Sequence, residues 1–292
     1  EFTDKKFFNL FLKLCECSQK TIDLFAEDKL LRDYFLSRQS LIPFDDFIIS
    51  NLDHKTFYFR SALHLTAQLL SPKNFSVLYT KFLNQKFLLL IDEFTHDEKC
   101  KNNYFISAMG SYGASELSFS SDVDLIFVVG NIHQYPEIQK DFQKLLQTLR
   151  NNFPGLEIDC RLRPEGKSSQ LVWDINDYKK YFTNRARVWE LQSLTKCRLI
   201  SGNKNLFKSF TSHYIEVVKL TDQKLIKTEM IGMRKKLYPI SDNSFNLKKS
   251  SGGLADIDFI ISFLLLTNPN LLLERIENQK IKLFDVLRKI SD

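Results

Sequence analysis

Gly110-Ser111-Tyr112-Gly113 follows a short apolar run, and after a spacer of about ten residues Asp122-Val123-Asp124 opens another. In a strand alternate side chains share a face, so Asp122 and Asp124 point the same way, ~7 Å apart along the chain. Two carboxylates at the start of a strand form a natural clamp for Mg²⁺, which is held by a few carboxylates plus phosphate oxygens and water. Gly110 and Gly113 let main-chain amides approach a triphosphate with no side chain between. Ser111, Ser120 and Ser121 add hydroxyl donors. Farther on, Leu156 to Arg163 alternates strictly: Glu157, Asp159, Arg161 and Arg163 share one parity, and Leu156, Ile158, Cys160 and Leu162 the other. If this stretch is a strand pairing near Asp122, Asp159 becomes the third carboxylate of a two-metal site. Arg161 and Arg163 then neutralise phosphate or the carboxylates themselves. The same residues also read as a half-exposed edge strand with a structural ion pair, and D-x-D alone reads as a turn with two solvated Asp. A second D-x-D, Asp256-Ile257-Asp258, follows Gly252-Gly253 and opens the apolar stretch Leu254 to Leu266. That stretch reads as a helix, where i and i+2 do not face each other, so its carboxylates are expected to place negative charge in a first turn.

The elements that must position these residues follow from hydrophobic period. Residues 1 to about 97 have helical spacing, seen in Phe8, Leu10, Phe11 and Leu14 and again from Leu24 to Phe35. Breaks are expected at Ile42-Pro43 and Ser71-Pro72, and a polar linker over Asp92 to Asn103. The period then changes. Tyr104 to Met109, Asp122 to Val129 and Leu156 to Arg163 read as strands, with a helix from about Pro136 to Asn151 before the last. From about Ile175 the pattern is helical again, with stops at Ser201-Gly202 and near Tyr238-Pro239 and a restart after Gly252-Gly253. No internal repeat or low-complexity tract is present. The expected fold is α+β: a small mixed sheet with helices, flanked by helical regions. The expected division is a helical region over 1–101, a catalytic core over 102–200 and a second helical region over 201–292, the last expected to be truncated because it ends inside a helical pattern.

Composition narrows the function class. The 292 residues carry 41 basic and 35 acidic side chains, a mixed balance of +6 that suits anions such as ATP without arguing for nucleic acid. With 26 Phe and 43% hydrophobic residues the chain can build a full core, which excludes disordered, collagen-like and linker proteins. The nine Gly all lie between Gly110 and Gly253, so close approach of phosphate to backbone is expected in the middle of the chain. Cys15, Cys17, Cys100, Cys160 and Cys197 form no C-x-x-C pair and are expected to be free thiols in a reducing cytoplasm. No segment reaches ~18 uninterrupted apolar residues. The start lacks a signal-peptide pattern and an initiator Met, so a cytoplasmic location, no membrane and a chain that is a fragment are the expectations.

A Gly-Ser loop, a spacer of about ten, Asp-hydrophobic-Asp on a strand and a later third Asp resemble the DNA polymerase β nucleotidyltransferase superfamily. Four stretches in order resemble more closely the glutamine synthetase adenylyltransferase (glutamate–ammonia-ligase adenylyltransferase) family: Gly113 to Phe127, Asp159 to Gly166, Trp189 to Gly202, and Met233 to Ile260. The helical lead-in Leu30 to Leu41 resembles one half of that family too. The resemblance implies a polymerase β-like core and transfer of AMP from Mg-ATP to a tyrosine of glutamine synthetase, a step that regulates nitrogen assimilation. Asp122, Asp124 and Asp159 would be the catalytic and metal-holding residues. Gly110, Ser111, Gly113 and Ser121, with Arg161, Arg163, Lys196 and Arg198, would meet the nucleotide, Lys196 and Arg198 from a helix. Family members have two homologous halves, one adding AMP and one removing it by phosphorolysis. The wording around Leu194 to Gly202 and Phe245 to Phe259 looks more like the C-terminal, adenylylating half. The PII signalling protein is implied as a partner of the full-length enzyme. Where the family has a Lys, a Gly and an Arg in the loop, this chain has Ser111, Ala114 and Ser115. The two halves share the catalytic motifs, which leaves a deadenylylating half as one alternative, and the altered loop leaves a non-enzymatic regulatory remnant as another.

Overall fold

The computed structural model describes residues 4–38, 41–94, 103–237 and 246–278. The centre of the expected linker, Cys100, the side chain of Cys17, the stop at Tyr238-Pro239 and both chain ends lie outside the described residues. The chain divides into two compact units, Glu1–Leu89 with Glu116–Ser121, and Leu90–Ser115 with Asp122–Asp292.

The first unit is helical. It contains α1 (Lys5–Cys17), α2 (Gln19–Glu27), α3 (Lys29–Leu36), α4 (Asp46–Asn51), α5 (His54–Thr66) and most of α6 (Pro72–Phe94). A polar side chain closes the start of each of the first five: Asp4, Ser18, Asp28, Asp45 and Asp53 accept from amides of the first turn. The Phe-rich composition appears as packed rings. Phe7 stacks on Phe35 at 4.5 Å between centroids, and Phe57 stacks on Phe82 at 4.1 Å. Phe119, from the short segment Glu116–Ser121, stacks on Phe75 at 4.3 Å and meets Tyr58 edge-on at 4.6 Å.

The second unit holds the sheet. Strands β1 (Tyr104–Met109) and β2 (Val123–Val129) pair antiparallel, with Met109 opposite Asp124. Between them the chain makes the one-turn helix α7 (Gly110–Gly113). β2 pairs in parallel with β3 (Ile158–Asp159) and with β4 (Val172–Asp174), while β5 (Arg198–Gly202) pairs antiparallel with the other edge of β1. The result is the expected α+β fold with a small mixed sheet of five strands. Helix α8 (Ile138–Asn152) covers one face, where Phe142 meets Tyr104 and Phe127. The other face packs on α9 (Ile175–Asn184), α10 (Val188–Leu194), α11 (Lys204–Leu220), α12 (Gln223–Lys236), α13 (Leu254–Thr267) and α14 (Pro269–Glu277). Its core includes Phe105, Ile126, Val128, Tyr178, Phe210 and Tyr214.

Three sequence expectations are corrected. The third strand is two residues long, because the chain enters turns after Asp159 and Glu165 takes a left-handed conformation at φ 60°. Lys196 and Arg198 are not helical: α10 ends at Leu194, and Arg198 begins β5, where its main chain is bonded both ways to the Ser107 hydroxyl. β4 and β5 both fall in stretches without strand expectation. β4 is held by Gln139 of α8, whose amide accepts from Val172 N at 3.0 Å and donates to Val172 O at 2.6 Å.

No single helix among the described residues is long and apolar enough to cross a membrane. The bent pair α13 and α14 reaches that length and composition together. It turns by 106° at its break, and Ile261, Leu265, Leu272 and Ile276 are buried in the core.

Candidate active site

Asp122 stands exposed immediately before β2, and Asp124 is the second strand residue, half-buried. Parallel register sets Asp124 beside Asp159 of β3. On its other flank β1 ends at Met109 and turns at Gly110, whose φ of +53° belongs to the left-handed region. A Cβ on Gly110 would lie 2.2 Å from Asp124 Oδ2. Gly110 is therefore the cradle into which the Asp124 carboxylate fits. Gly113 is needed for a different reason: a Cβ there would lie 2.0 Å from Lys196 O and 2.8 Å from Ala108 O.

The carboxylates are electrostatically unequal. Burial, then the charges of Asp159 and Asp122, push the Asp124 carboxyl up to about 6, against the opposing pull of Arg161 and Lys196. Burial also works upward on Asp159, but hydrogen bonds from the Arg161 side chain and amide outweigh it and hold that carboxyl below the usual range. Arg161 N donates to Asp159 Oδ1 at 2.7 Å, and its guanidinium grips Oδ2 while lying 3.8 Å from Glu157. Among the described residues no three His, Cys, Asp or Glu side chains form a ready-made metal cage. The donor set nonetheless suits Mg²⁺: hard carboxylate oxygens, one of them short of positive charge.

The basic residues divide by what they touch. Lys196 Nζ donates to Asp258 Oδ1 at 2.8 Å, with the lysine side chain 13% exposed and the aspartate 50%. Gly110, Lys196, Asp258 and Trp189 line one cavity of about 550 Å³. From the sequence Asp258 was expected only to place negative charge in a helical first turn, and its partner lies 62 residues away. Asp256, by contrast, does take the first-turn place expected of it, accepting from Gly252 N and from Arg234 Nε. Arg163 turns back on its own loop and donates to the carbonyls of Cys160, Ser169 and Gln170. Ser121 belongs to the segment counted with the first unit, where its hydroxyl bonds Ser118. Ser111 is half-buried within α7.

Arg198 is buried beneath α7. It donates to Tyr112 O at 2.9 Å and Gly113 O at 3.3 Å, and its guanidinium lies 5.0 Å from the centre of the Tyr112 ring. Arg198→Leu leaves those carbonyls without this donor. It is expected to cost ~2–4 kcal/mol, read as a lower urea midpoint at unchanged slope.

With this geometry in place, comparison with known proteins is decisive. The family model of glutamate-ammonia ligase adenylyltransferase matches residues 75–213. That stretch is similar to a domain of this family. It takes in both strands that flank α7, the three carboxylates and β5. Curated relatives are named bifunctional glutamine synthetase adenylyltransferase/adenylyl-removing enzyme. The one from Shewanella frigidimarina is 30% identical over 64% of this chain and 22% of its own length. That from Aromatoleum aromaticum is 32% identical over 56% and 18%. That from Mannheimia succiniciproducens is 28% identical over 80% and 25%. The chain thus spans about a fifth to a quarter of the relatives it matches. The matched stretch carries the D-x-D, the third Asp and the glycine turn on the elements described above.

Proposed function

We propose that this chain transfers AMP from ATP to a tyrosine hydroxyl of glutamine synthetase. The observation that carries the reading is the meeting of Asp124 with Asp159 in register, with Gly110 shaped to the Asp124 carboxylate. Asp122, Asp124 and Asp159 would hold Mg²⁺, which would offset the triphosphate's charge. Gly110, Ser111 and Gly113 present the turn that meets the phosphates. Lys196 swings from Asp258 to a phosphate oxygen, exchanging one anion for another. Asp159 stays ionised at neutral pH because Arg161 holds it so, which suits it to accept a hydrogen bond from the incoming hydroxyl and aim it at the α-phosphorus. The new P–O bond forms as the bond to pyrophosphate breaks, and the hydroxyl proton passes to Asp159.

Support for an enzyme rather than a remnant comes from the loop. Despite Ser111, Ala114 and Ser115, α7 forms, Arg198 anchors it, and Asp124 keeps its cradle. The test is incubation with Mg-ATP and glutamine synthetase, following the intact mass of the synthetase. Addition of AMP is expected. No addition, together with ADP release from AMP-modified synthetase in the presence of phosphate, would assign the opposite direction to the same site. Neither reaction, with no ATP-linked rise in Tm, would leave a non-enzymatic fold.

A further inference from the structure

Asp159 and Arg161 also line a second hollow, a groove of about 730 Å³ that runs between α8, β3 and the loop after it. Its floor is apolar, made of Leu146, Leu156 and Leu171, and its rim carries Arg150, Arg163 and Lys167 with one exposed carboxylate, Glu157, beside Arg161. The rim cations form no ion pair among the described residues, although the charge of Lys167 acts on Asp159. Arg150 donates to Ile158 O at 2.9 Å, and Arg163 spends its guanidinium on three main-chain carbonyls. Carbonyls satisfy the N–H groups but carry no net charge. Among the described residues, no carboxylate lies within ion-pair distance of Arg150, Arg163 or Lys167. Arg161 is the exception, being held by Asp159 and Glu157.

We infer that this groove docks an acidic segment of the acceptor polypeptide, its carboxylates on the rim and the ring of its tyrosine on the apolar floor, so that the hydroxyl reaches Asp159. The inference rests on the transfer reading above and adds to it the chemistry of the acceptor. Three cations without an ion pair, set around an apolar strip and outnumbering Glu157, favour a partner that offers carboxylates on either side of an aromatic ring. Arg163 is already fixed by its carbonyl bonds, so little side-chain freedom is lost when the partner arrives. The rim lies beside the carboxylate that orients the acceptor, whereas Gly110 and Lys196 line the other cavity.

The test measures anisotropy of two fluorescein-labelled synthetic peptides, one alternating Glu and Tyr and one alternating Lys and Tyr, with the full 292-residue chain. The Glu-Tyr peptide is expected to bind, more weakly as salt rises, and the Lys-Tyr peptide not to bind. Lys167 is exposed and donates no bond that holds the fold, so Lys167→Glu should weaken binding by about tenfold or more and Lys167→Arg should retain it. Equal binding of both peptides, indifference to Lys167→Glu, or displacement of the peptide by Mg-ATP would each overturn the inference. AMP transfer is measured separately on the same preparation. Peptide selectivity without transfer would sink the transfer reading while supporting an acidic-peptide groove.

Discussion

Asp124→Asn is expected to lower AMP transfer by about a thousandfold or more and, at the same time, to make the metal-free protein more stable at neutral pH. Both effects come from one carboxylate. In the native protein its pKa stands near 6, raised by burial and by Asp159 and Asp122, against 3.8 for an unperturbed Asp. Between those two values the folded chain still holds a proton that the unfolded chain has lost. The metal-free fold therefore loses stability as pH rises from about 4 to about 6, and carries the full penalty above that window. The penalty is at most on the order of 3 kcal/mol, since solvent at the mouth of the site screens part of it. The amide has the same shape and no charge, so Tm at pH 7.5 should rise and its dependence on pH over that window should flatten. Mg²⁺ should stabilise the wild type more than the variant. A variant that transfers AMP as well as wild type, or that is less stable without metal, would contradict the placement of Asp124. Gly110→Ala approaches the same atom from the other side. Its Cβ would displace Asp124 Oδ2, and the φ of +53° adds strain of ~1–2 kcal/mol, so transfer should fall while the fold persists with lower stability.

How far the site could be read in advance depended on how local its signals are. D-x-D on a strand needs only period-two alternation and a stretch of Val, Leu, Ile and Phe, and Asp122, Asp124 and the apolar face of β2 were legible for that reason. The Gly-rich turn was legible as a place of close approach, although what approaches Gly110 and Gly113 is Asp124 and the carbonyls of Lys196 and Ala108. Alternation misled at Arg161 and Arg163. Residue types went on alternating past Asp159 while the backbone had already begun the turn through Pro164 and Gly166, which sends Arg163 back onto its own carbonyls. β5 was hidden because R-L-I-S-G is short and lies between helices. It is a strand only because the free edge of β1 and the Ser107 hydroxyl receive it, 91 residues earlier in the chain. The role of Asp258 was hidden for the same reason: its place near the start of a helix is visible locally, whereas its partner Lys196 is not.

Gly113→Ala is expected to cost about 3 kcal/mol or more, a large part of the ~5–15 kcal/mol typical of a folded domain. The reason is not backbone conformation, because Gly113 is an ordinary helical residue of α7. It is that both atoms in the way, Lys196 O and Ala108 O, belong to the main chain. Ala108 pairs with Arg198 across β1 and β5, and Lys196 leads the chain into β5. A methyl there cannot be accommodated by a rotamer change. It must part α7 from the β1–β5 seam, which would also pull the Gly113 carbonyl from Arg198. Gly232→Ala is the internal reference. It sits within α12 with nothing inside 4 Å of the added methyl, so it should gain ~0.5–1 kcal/mol from the unfolded state and helix propensity. Urea unfolding of both variants gives the readout: a midpoint well below wild type for Gly113→Ala and slightly above it for Gly232→Ala, at matching slopes. Equal midpoints for the two would mean that α7 is not wedged against the sheet at Gly113. The turn that is proposed to meet the phosphates would then lack the rigid backing on which the transfer reading depends.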